Sequence, residues 1–499
     1  MKMRKTKKEE IYTNVEIVDA AAEGMAVAKV ETEDTKLVVF VPFVVPGDII
    51  DLKVFKKKKN YAEGRALAIR KPSPRRVEVA CPHFGQCGGC KWQTMAYESQ
   101  LEYKQKQVRD NLERLGHVDC STMRPISGSS NIYYYRNKME YAFSTKRWHT
   151  LEEIETLGKE ALMAEPGALG MHAPQLFDKV LNIDHCALQA DPSNAIRLFI
   201  RDYALEHQLP FYDIRNHRGL LRSLMIRNST LGEWMVVLMV ATDSEPTDKA
   251  LTPEAEAMLM PLLDELKAHF PQITSLQYVV NNKYNDSYAD LDIVTYHGKD
   301  HIEEAMQGYQ GDKTLRFIVN PKSFFQTNSL QAQRLYSYVA EFADLKGDET
   351  LYDLYTGTGT IALFLAGRCR QVVGIEYVEE AIADAKLNAR HNGYDNTAFF
   401  AGDMAKVLTQ DFIAAHGRPD VVITDPPRAG MAPTVVEQLL LTEAKRIVYV
   451  SCNPATQARD LELLSAKYEV ECIQPVDMFP HTQHVENVVK LRLKGEQSS

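Results

Sequence analysis

The chain has 499 residues, of which 45% are hydrophobic and 25% are charged, and its formal net charge is −9. This length and composition fit a globular protein of about three domains and exclude a disordered or fibrous chain. The apolar stretch at residues 38–45 is interrupted by Pro42, and no run reaches the roughly 18 apolar residues of a membrane helix. We therefore expect no transmembrane segment.

The start of the chain, MKMRKTKKEE, is basic, but no apolar core follows it, so we predict no signal peptide and a cytoplasmic protein. Because the cytosol keeps thiols reduced, the eight cysteines are candidate ligands or nucleophiles rather than disulfide partners. Residues 1–120 hold 22 Lys and Arg against 17 Asp and Glu, whereas the remainder holds 36 against 50. This asymmetry favours a phosphate-bearing partner at the front end, although a solubilising tail would explain it equally well.

Five short β-type runs between residues 11 and 70 are separated by turn-forming residues such as Pro46-Gly47. Short strands with turns about every ten residues predict a small barrel. The lysine run 56–59 falls at a hairpin tip of this barrel, either as a solvated turn or as a loop that contacts phosphate.

The segment after the barrel, CPHFGQCGGC, places Cys81, Cys87 and Cys90 close together. Residues 93–115 are rich in charge and free of Gly and Pro, which predicts a helix that ends at Gly116. Strand-type and helix-type segments are mixed beyond this helix, which indicates an α+β arrangement.

From Thr350 onward, buried-type strands alternate with helical segments, which is the pattern of a doubly wound parallel sheet. The strands are TLYDLY, QVVGIE, DVVITD and RIVYVS. The sequence therefore predicts a multidomain α/β protein with an N-terminal β-barrel, a central α+β domain that carries the cysteines, and a C-terminal Rossmann-like domain: residues 1–70, 71–310 and 311–499.

The first of these strands runs into a glycine-rich turn, DLYTGTGT (353–360), before a helix begins. Glycines let the backbone turn sharply and approach a ligand at the mouth of the sheet. Glu376 closes the next strand, where its carboxylate can accept hydrogen bonds from ribose hydroxyls. Alone, this pattern would equally suit a dinucleotide dehydrogenase, and a glycine-rich turn that binds no ligand is a lesser alternative.

A second loop at the same edge distinguishes these options. DVVITD ends in Asp425-Pro426-Pro427-Arg428, and two prolines after a strand hold a rigid loop at the sheet edge. An acidic residue before two prolines is typical of S-adenosylmethionine enzymes, in which it faces the methyl group and a planar base, whereas a dehydrogenase has no need of it. The two loops together favour methyl transfer.

Cys452 follows the strand RIVYVS, at the edge that carries the glycine-rich turn and Asp425. A buried, inert cysteine is the common alternative, but a strand-tip position before Asn453-Pro454 disfavours burial. A thiolate has a chemical purpose here, because C5 of uracil is too poor a nucleophile to accept a methyl group unaided. Addition of sulfur to C6 makes C5 electron-rich, which divides one hard step into easier ones.

A base must then remove the C5 proton so that the thiolate can leave. Glu486 directly precedes a β-type run in HTQHVENVV (481–489), where partial desolvation would raise its pKa, as a base working near neutrality requires. His481 and His484 are competing candidates for this role.

Six motifs, in their order and spacing, resemble those of the RNA uridine-C5 methyltransferase family over nearly the whole chain. They are SFFQTN (323–328), DLYTGTG (353–359), GIE (374–376), DPPRAG (425–430), SCNPAT (451–456) and HTQHVENV (481–488). The resemblance implies that Cys452 is the nucleophile and Glu486 the base. It also implies S-adenosylmethionine contacts at five positions: Gln326, Tyr355, Glu376, Asp425 and, near the adenine, Asp403.

The same resemblance implies that the N-terminal barrel is a TRAM domain, an OB-like RNA-binding module. One departure is Thr356, where many members of the family carry Cys or another small residue. Because Thr is small and polar, we expect no loss of activity from it.

The spacing of Cys81, Cys87 and Cys90 resembles that of the 23S ribosomal RNA subfamily, whose members carry a [4Fe–4S] cluster. The resemblance implies Cys186 as the distant fourth ligand. Four thiolates can equally bind zinc, and spacing alone favours zinc slightly. The resemblance favours the iron–sulfur cluster, with the role of shaping the RNA-binding domain, since methyl transfer needs no electron.

Residues 133–138, YYYRNK, combine aromatic rings on which bases can stack with cations that bind phosphate. A tyrosine-rich strand in a core is the alternative. The YRNK part resembles a family motif near the substrate, which implies RNA contacts at Arg136 and Lys138. The target uridine must leave its stack to reach Cys452, at a cost of a few kcal/mol.

The sequence therefore predicts S-adenosylmethionine-dependent methylation of a uridine C5 in 23S ribosomal RNA. Methylation of tRNA is the nearest alternative. Two alternatives belong to other classes: a non-catalytic RNA-binding protein or chaperone with a relic methyltransferase domain, and an NAD-linked oxidoreductase with an iron–sulfur centre. Intact Cys452, Asp425 and Glu486 argue against a relic.

Overall fold

The computed structural model describes residues 10–31, 36–158, 160, 162 and 167–495. The basic start, residues 1–9, lies outside the described residues. The prediction that it is no signal peptide therefore also concerns residues outside the described part. Within the described residues, no helix combines the length and apolar character needed to cross a bilayer.

Five strands form a closed barrel in the order β1-β2-β3-β5-β4, which confirms the predicted N-terminal barrel. They are β1 Glu10–Ala20, β2 Ala26–Glu31, β3 Lys36–Val41, β4 Ile49–Lys57 and β5 Ala62–Lys71, with a 3₁₀ turn at Ala22–Gly24. Alternate side chains of these strands, among them Ile17 and Leu52, fill the barrel interior. The lysine run 56–59 covers the end of β4 and the turn before β5, as the hairpin prediction required.

A long helix, Tyr97–Leu115, follows the cysteine segment and is called the linker helix below. It ends before Gly116 as predicted, but it begins at Tyr97 rather than at residue 93. The reason is that Trp92 and Met95 are buried in a small cluster with Val45 of the barrel, in a turn in which Met95 N–H donates to the Trp92 carbonyl.

The central region is built on a seven-stranded sheet of order β12-β11-β10-β9-β6-β7-β8. Its strands are β6 Lys138–Ser144, β7 Ala168–His172, β8 Val180–Asn182, β9 Leu221–Asn228, β10 Trp234–Val240, β11 Ile273–Val280 and β12 Ile293–Gly298. Its helices are Leu151–Leu157, Ser193–Glu206 and Pro253–His269.

Strand β10 is buried along its whole length because both faces of this sheet are covered. Val236 and Leu238 pack with the helices Ser193–Glu206 and Pro253–His269. Val237 and Met239 face the other way, into a core shared with the C-terminal region. The central and C-terminal regions therefore share a core along one face of the sheet.

A hairpin of β13 Ile302–Gln307 and β14 Thr314–Val319 connects the two regions, with a 3₁₀ turn at Tyr309–Gly311. The boundary predicted at residue 311 falls in its turn, and Phe317 of β14 is buried in the shared core. The domain limits themselves stay a prediction.

The C-terminal region is a Rossmann-like sheet of order β17-β16-β15-β18-β19-β21-β20, which confirms the predicted doubly wound architecture. Its strands are β15 Thr350–Leu354, β16 Gln371–Glu376, β17 Thr397–Ala401, β18 Val421–Thr424, β19 Arg446–Ser451, β20 Tyr468–Val476 and β21 Glu486–Leu493. Its helices are Ser329–Ala343, Thr360–Ala366, Glu379–His391, Met404–Val407, Gln410–His416, Pro433–Thr442 and Pro454–Leu464. The first five strands are parallel to one another, whereas β21 runs antiparallel to both β19 and β20.

Candidate active site

The parallel strands β15, β16, β18 and β19 bring their carboxyl ends to one edge of the sheet. Asp353 of β15 pairs with Gly374 of β16 and with Ile423 of β18, so the loops that follow these strands begin at similar heights. In an open sheet of this kind, ligands bind in the crevice outside the carboxyl ends of the strands. The predicted site residues on these loops therefore share one crevice.

The glycine-rich turn has the backbone of a ligand cradle. Tyr355, Gly357 and Gly359 all adopt positive φ, at 62°, 54° and 81°, and Gly359 caps the helix Thr360–Ala366. A Cβ added to Gly357 would meet no atom within 4 Å, so open space lies beside this residue. The turn therefore leaves room for a ligand to approach the backbone closely.

Glu376 fixes the open side of this turn. Its Oε2 accepts a hydrogen bond from Gly357 N–H at 3.2 Å, and its Oε1 accepts one from Val378 N–H at 3.0 Å. A carboxylate has about four acceptor positions, so further capacity remains for the ribose hydroxyls of a nucleoside. This geometry fits the predicted role of Glu376 in cofactor binding.

The other predicted cofactor positions surround the same turn. The Phe324 carbonyl, two residues before Gln326, accepts a hydrogen bond from Thr358 Oγ1 at 3.3 Å. Gln326 itself is buried, and its carbonyl accepts from Asn137 Nδ2. Asp403 is exposed and caps the helix Met404–Val407 by accepting from Ala405 N–H at 3.0 Å.

Two carboxyl groups lie at this edge of the sheet, those of the buried Asp353 and the half-buried Asp425. Burial raises the pKa of Asp425 to about 7, and the neighbouring carboxyl of Asp353 adds to this effect. Burial likewise raises the pKa of Asp353 to about 7. A hydrogen bond from Thr356 Oγ1 partly opposes this shift because it favours the ionised form. A cationic ligand near these groups would offset their desolvation and stabilise the ionised carboxylates.

Cys452 and Glu486 are brought together by strand register. In the antiparallel ladder, Ser451 of β19 pairs with Asn487 of β21. Cys452 follows Ser451 and Glu486 precedes Asn487, so these two residues lie opposite each other at the ends of their strands. Burial, together with the carboxyls of Glu486 and Asp425, raises the pKa of the Cys452 thiol to about 12. Burial also raises the pKa of Glu486 to about 8, with a contribution from Asp425.

Arg428 supplies the positive charge next to these groups. Its guanidinium favours the ionised forms of both Cys452 and Glu486 and lies 3.4 Å from His484 Nδ1. Its carbonyl accepts hydrogen bonds from Asn453 Nδ2 at 3.0 Å and Thr456 Oγ1 at 3.2 Å. The Pro-Pro-Arg loop and the loop of the thiol are therefore tied together.

The two histidines that compete with Glu486 as base have different surroundings. His481 is buried and stacked on Tyr133, with ring centroids 4.4 Å apart, and its Nδ1 lies 3.2 Å from Gln100 Nε2. Burial lowers the pKa of His481 and of His484 to about 4, so both rings are neutral at pH 7. Glu486 is the group whose pKa suits proton transfer near neutrality.

The four predicted metal-binding cysteines lie in one neighbourhood. Burial raises the pKa of Cys90 to about 12, and the thiols of Cys87, Cys186 and Cys81 add to the effect. Cys90 and Cys186 also pack in one apolar cluster with Tyr135. Even so, no three or more His, Cys, Asp or Glu side chains in the described ranges have the close arrangement of a formed metal site.

The segment predicted to contact RNA is a loop that precedes β6. Tyr134 is half exposed, whereas Tyr135 is buried and donates from its hydroxyl to the Pro480 carbonyl at 3.0 Å. Arg136 is partly exposed and approaches His484, whose protonation it disfavours. Lys138 Nζ lies 2.6 Å from Glu140 Oε1. The loop therefore connects the cysteine neighbourhood to the crevice.

Sequence reasoning assigned no role to Asp353 or Arg428, although both lie inside motifs that it quoted. Each residue lies at or just after a strand end, beside a loop predicted to bind a ligand, and this position could have indicated a role for it. It also missed the buried pair of Lys104 and Asp477, whose Nζ and Oδ1 atoms are 2.5 Å apart. No local pattern joins residues that are 373 positions apart.

Comparison with known proteins agrees with this geometry. Residues 293–494 match the family model described as tRNA (uracil-5-)-methyltransferase, and residues 11–67 match the TRAM domain model. An uncharacterized RNA methyltransferase of Bacteroides thetaiotaomicron is 53% identical over 475 residues, which cover 95% of this chain and 100% of the relative. One from Porphyromonas gingivalis is 51% identical over 481 residues, covering 96% and 99%.

A solved structure also resembles the whole chain. It is that of Pyrococcus abyssi tRNA (uracil-54, C5)-methyltransferase in complex with S-adenosyl-L-homocysteine, with a TM-score of 0.69 and 27% identity. The match covers 96% of this chain and 100% of that one.

Proposed function

This chain belongs to the S-adenosylmethionine-dependent RNA uracil-C5 methyltransferase family, and from that premise we propose that it methylates C5 of a specific uridine in 23S ribosomal RNA. The proposed reaction passes through a covalent bond between Cys452 and C6 of uracil. The observation that carries the mechanism is the pairing of Ser451 with Asn487, which brings a thiol and a carboxyl group together beside the cofactor crevice.

The reaction begins when Cys452 adds to C6 of a uridine that has left its stack. The Cys452 thiol first gives its proton to solvent. The thiolate then supplies the electron pair of the new S–C6 bond, and the C5=C6 π pair moves to C5 and the adjacent carbonyl. The carboxyls of Glu486 and Asp425 oppose ionisation of the thiol, whereas the guanidinium of Arg428 and a backbone hydrogen bond at Cys452 favour it. The uracil ring is activated only while sulfur is bound.

S-adenosylmethionine supplies a methyl group on a positively charged sulfur. C5 attacks that methyl group, and the electron pair of the old S–CH3 bond stays on the departing sulfur. The ionised carboxylate of Glu486 then removes the C5 proton, the C5–H electrons re-form the C5=C6 bond, and the C6–S bond breaks to release the Cys452 thiolate. Atoms and charges balance, and the thiolate is regenerated.

The residues around the crevice fit the methyl donor. Glu376 retains acceptor capacity for ribose hydroxyls, and the open space at Gly357 permits close approach. Asp425 and Glu486 are carboxyls whose ionised forms a sulfonium would stabilise. We assign the remaining cofactor contacts to Gln326, Tyr355 and Asp403, with Asp403 on the adenine side.

Ribosomal RNA is proposed as the target because of the cysteine neighbourhood. Four thiols from two segments, Cys81, Cys87, Cys90 and Cys186, lie near one another in the central region. Thiolates of this number suit a [4Fe–4S] cluster or zinc. We propose the iron–sulfur cluster, which would shape the surface around Arg136 and Lys138 that we propose to bind RNA phosphates. A cytoplasmic location, where free thiols persist, is proposed on the same basis.

Methylation of tRNA is the second candidate. The specific observation that favours it is the likeness to the Pyrococcus abyssi protein, which acts on uracil-54 of tRNA. A non-catalytic RNA-binding role is less well supported, because the thiol, the carboxyls and the open glycine turn are all present at one sheet edge.

The test is methyl transfer to RNA from a strain that lacks this gene. Purified protein and radiolabelled S-adenosylmethionine are incubated with total RNA, which is then separated into ribosomal and transfer fractions before the modified uridine is mapped. We expect label on one uridine of 23S RNA, none with Cys452→Ala, and normal labelling with Cys472→Ala, a half-buried cysteine on β20 outside the crevice.

The alternative outcomes are distinct. Label confined to tRNA would replace the proposed target with the second candidate. RNA binding with no label in any fraction would favour the non-catalytic role, and undiminished labelling with Cys452→Ala would overturn the covalent mechanism.

A further inference from the structure

The loop that leads into Glu486, residues 477–485, is called the base loop below. It connects β20 to β21 and has no helix or strand of its own. Its backbone polar groups are bonded by residues from distant parts of the chain. Asp477 N–H donates to the Ser127 carbonyl at 2.9 Å, and the Met478 carbonyl accepts from Asn328 Nδ2 at 3.1 Å.

One face of the linker helix provides three of the side chains that bond the base loop. Tyr97, Gln100 and Lys104 are spaced three and four residues apart, so they lie on the same side of the helix. The Tyr97 hydroxyl donates to Asp477 Oδ2 at 2.9 Å. Lys104 Nζ bonds both Asp477 Oδ1 at 2.5 Å and the Phe479 carbonyl at 3.0 Å.

Gln100 bonds the loop at its centre. Its Oε1 accepts from His481 N–H at 2.8 Å, while its Nε2 donates to the carbonyls of Met95 at 2.8 Å and Trp92 at 3.1 Å. The His481 carbonyl in turn accepts from the N–H groups of Trp92 and Lys91. The residues immediately after Cys90 are thus bonded to the loop that leads into Glu486.

This arrangement is enclosed, and the side chains of Gln100, Lys104 and Asp477 all have hydrogen-bond partners within it. The side chains of Lys104 and Asp477 are both 0% exposed, and Gln100 is equally buried. A buried polar group left without its partner costs about 1–3 kcal/mol, and more if it is charged. His481 also adopts a positive φ of 66°, a conformation that a non-glycine residue keeps only when its neighbours enforce it.

The nucleophile has separate support. Asn453 Oδ1 accepts from Ala455 N–H at 3.2 Å, and Gln457 Nε2 bonds the Tyr449 and Asn487 carbonyls. None of these bonds involves the three polar residues of the linker helix. Loss of the bonds from Gln100 or Lys104 would therefore displace the base loop without removing the hydrogen bonds around Cys452.

We propose that Gln100 and Lys104 are positioning residues for Glu486, acting through the base loop on removal of the C5 proton. The proposal rests on the proposed function. It assigns to the linker helix a role in the second half of the reaction and leaves thiol addition and methyl transfer intact. A small displacement of a catalytic group is enough to slow its step strongly.

The test compares product formation with covalent adduct. Three variants are incubated with the substrate RNA and S-adenosylmethionine and then analysed on denaturing gels: Gln100→Met, Lys104→Gln and Glu486→Gln. We expect Gln100→Met to lower the turnover rate at least about tenfold while a methylated protein–RNA adduct accumulates, as with Glu486→Gln. Lys104→Gln, which retains a donor for Asp477, should be less affected.

Leu112→Ala is the matched control. Leu112 is a buried residue of the same helix, in the apolar core that also contains Ala458 and Leu461 of the helix after Cys452. We expect it to lower the melting temperature without accumulation of adduct. A second variant, Tyr97→Phe, removes the hydroxyl that donates to Asp477 and accepts from Ser129 N–H, and should cause milder accumulation in a folded protein.

The outcomes separate the two proposals. If the wild-type protein transfers no methyl group to any RNA, the proposed function fails, and this inference fails with it. If the wild type is active but Gln100→Met and Tyr97→Phe lose turnover without accumulating adduct, or keep full turnover, only the positioning role is overturned.

Discussion

Ser451 at the end of β19 lies opposite Asn487 of β21 in an antiparallel ladder, next to four parallel strand ends. A purely parallel sheet would bring only carboxyl ends of strands to this edge. The reversed strand instead brings an amino end, so that Glu486 lies next to Cys452. The proposed base and the proposed nucleophile are therefore carried by neighbouring strands of one sheet.

The raised pKa of Glu486 has a consequence for stability. Between its ordinary value of 4.5 and about 8, the folded protein keeps a proton that the unfolded chain loses, so this group reduces the free energy of unfolding as pH rises. Glu486→Gln removes the titrating carboxyl and with it this decrease in the free energy of unfolding. We expect the variant to be at least about 1 kcal/mol more stable than wild type at pH 8.5, with the difference vanishing towards pH 4.5.

Urea unfolding at a series of pH values measures this difference. Glu462→Gln, at an exposed position of the helix Pro454–Leu464, is the control and should show no such trend. A Glu486→Gln variant that is less stable than wild type at high pH would contradict the buried, protonated carboxyl.

The same group should control the pH dependence of catalysis. Glu486 accepts a proton only when ionised, and its pKa of about 8 means that the active fraction rises as pH increases towards 9. Single-turnover rates with saturating RNA and methyl donor should therefore increase about 25-fold between pH 6.5 and 8.5, then level off. A rate that is flat, or that falls, over this range would assign the proton transfer to another group.

The affinity for the methyl donor should depend on pH more strongly than the affinity for its demethylated product does. The sulfonium of S-adenosylmethionine is positively charged, whereas the sulfur of S-adenosylhomocysteine is neutral, and the two molecules are otherwise alike. Because Asp425 titrates at about 7 in the free protein, the preference for the charged ligand should grow several-fold from about pH 6 to 8.

Calorimetric titration of both ligands gives the ratio of their dissociation constants. With Asp425→Asn, the pH dependence of that ratio should shrink. A ratio that is constant with pH in the wild-type protein would show that no titrating carboxyl faces the sulfur.

Local patterns in the sequence were enough for much of this structure. Alternating buried strands predicted the Rossmann-like sheet, and strand-tip motifs predicted that Cys452, Asp425 and the glycine turn share an edge, because parallel strands end together. The linker helix was predicted as well, although its start was set by burial of Trp92 beside the barrel. That contact depends on a partner about fifty positions away, which propensity does not register.

The hydrogen bonds that hold the loop before Glu486, the proposed base, could not be predicted from the sequence for a similar reason. Lys104 sits in a charged helix and looks like a solvated residue until the fold buries it against Asp477. Glu486 was proposed from its motif. The polar helix face that bonds the loop before it shows only helical spacing in the sequence, and ordinary solvent-exposed residues show the same spacing. Long-range pairing of this kind appears only when the tertiary structure is known.

The cysteine neighbourhood gives a prediction about metal content. Protein purified without oxygen should contain about four iron and four acid-labile sulfide per chain, as a [4Fe–4S] cluster requires. Cys186→Ser should lower both, because it removes one of four thiols, whereas Cys472→Ser should leave both unchanged. Stoichiometric zinc without sulfide in the wild-type protein would contradict the cluster.

The covalent step is tested most directly with RNA that contains 5-fluorouridine at the target position. Fluorine cannot leave C5 as a proton does, so the reaction stops after methyl transfer with sulfur still bonded to C6. Mass spectrometry of the digested complex should find the methylated nucleotide on the peptide that contains Cys452. A protein that methylates ordinary RNA yet forms no such adduct, or forms it at another residue, would contradict the account.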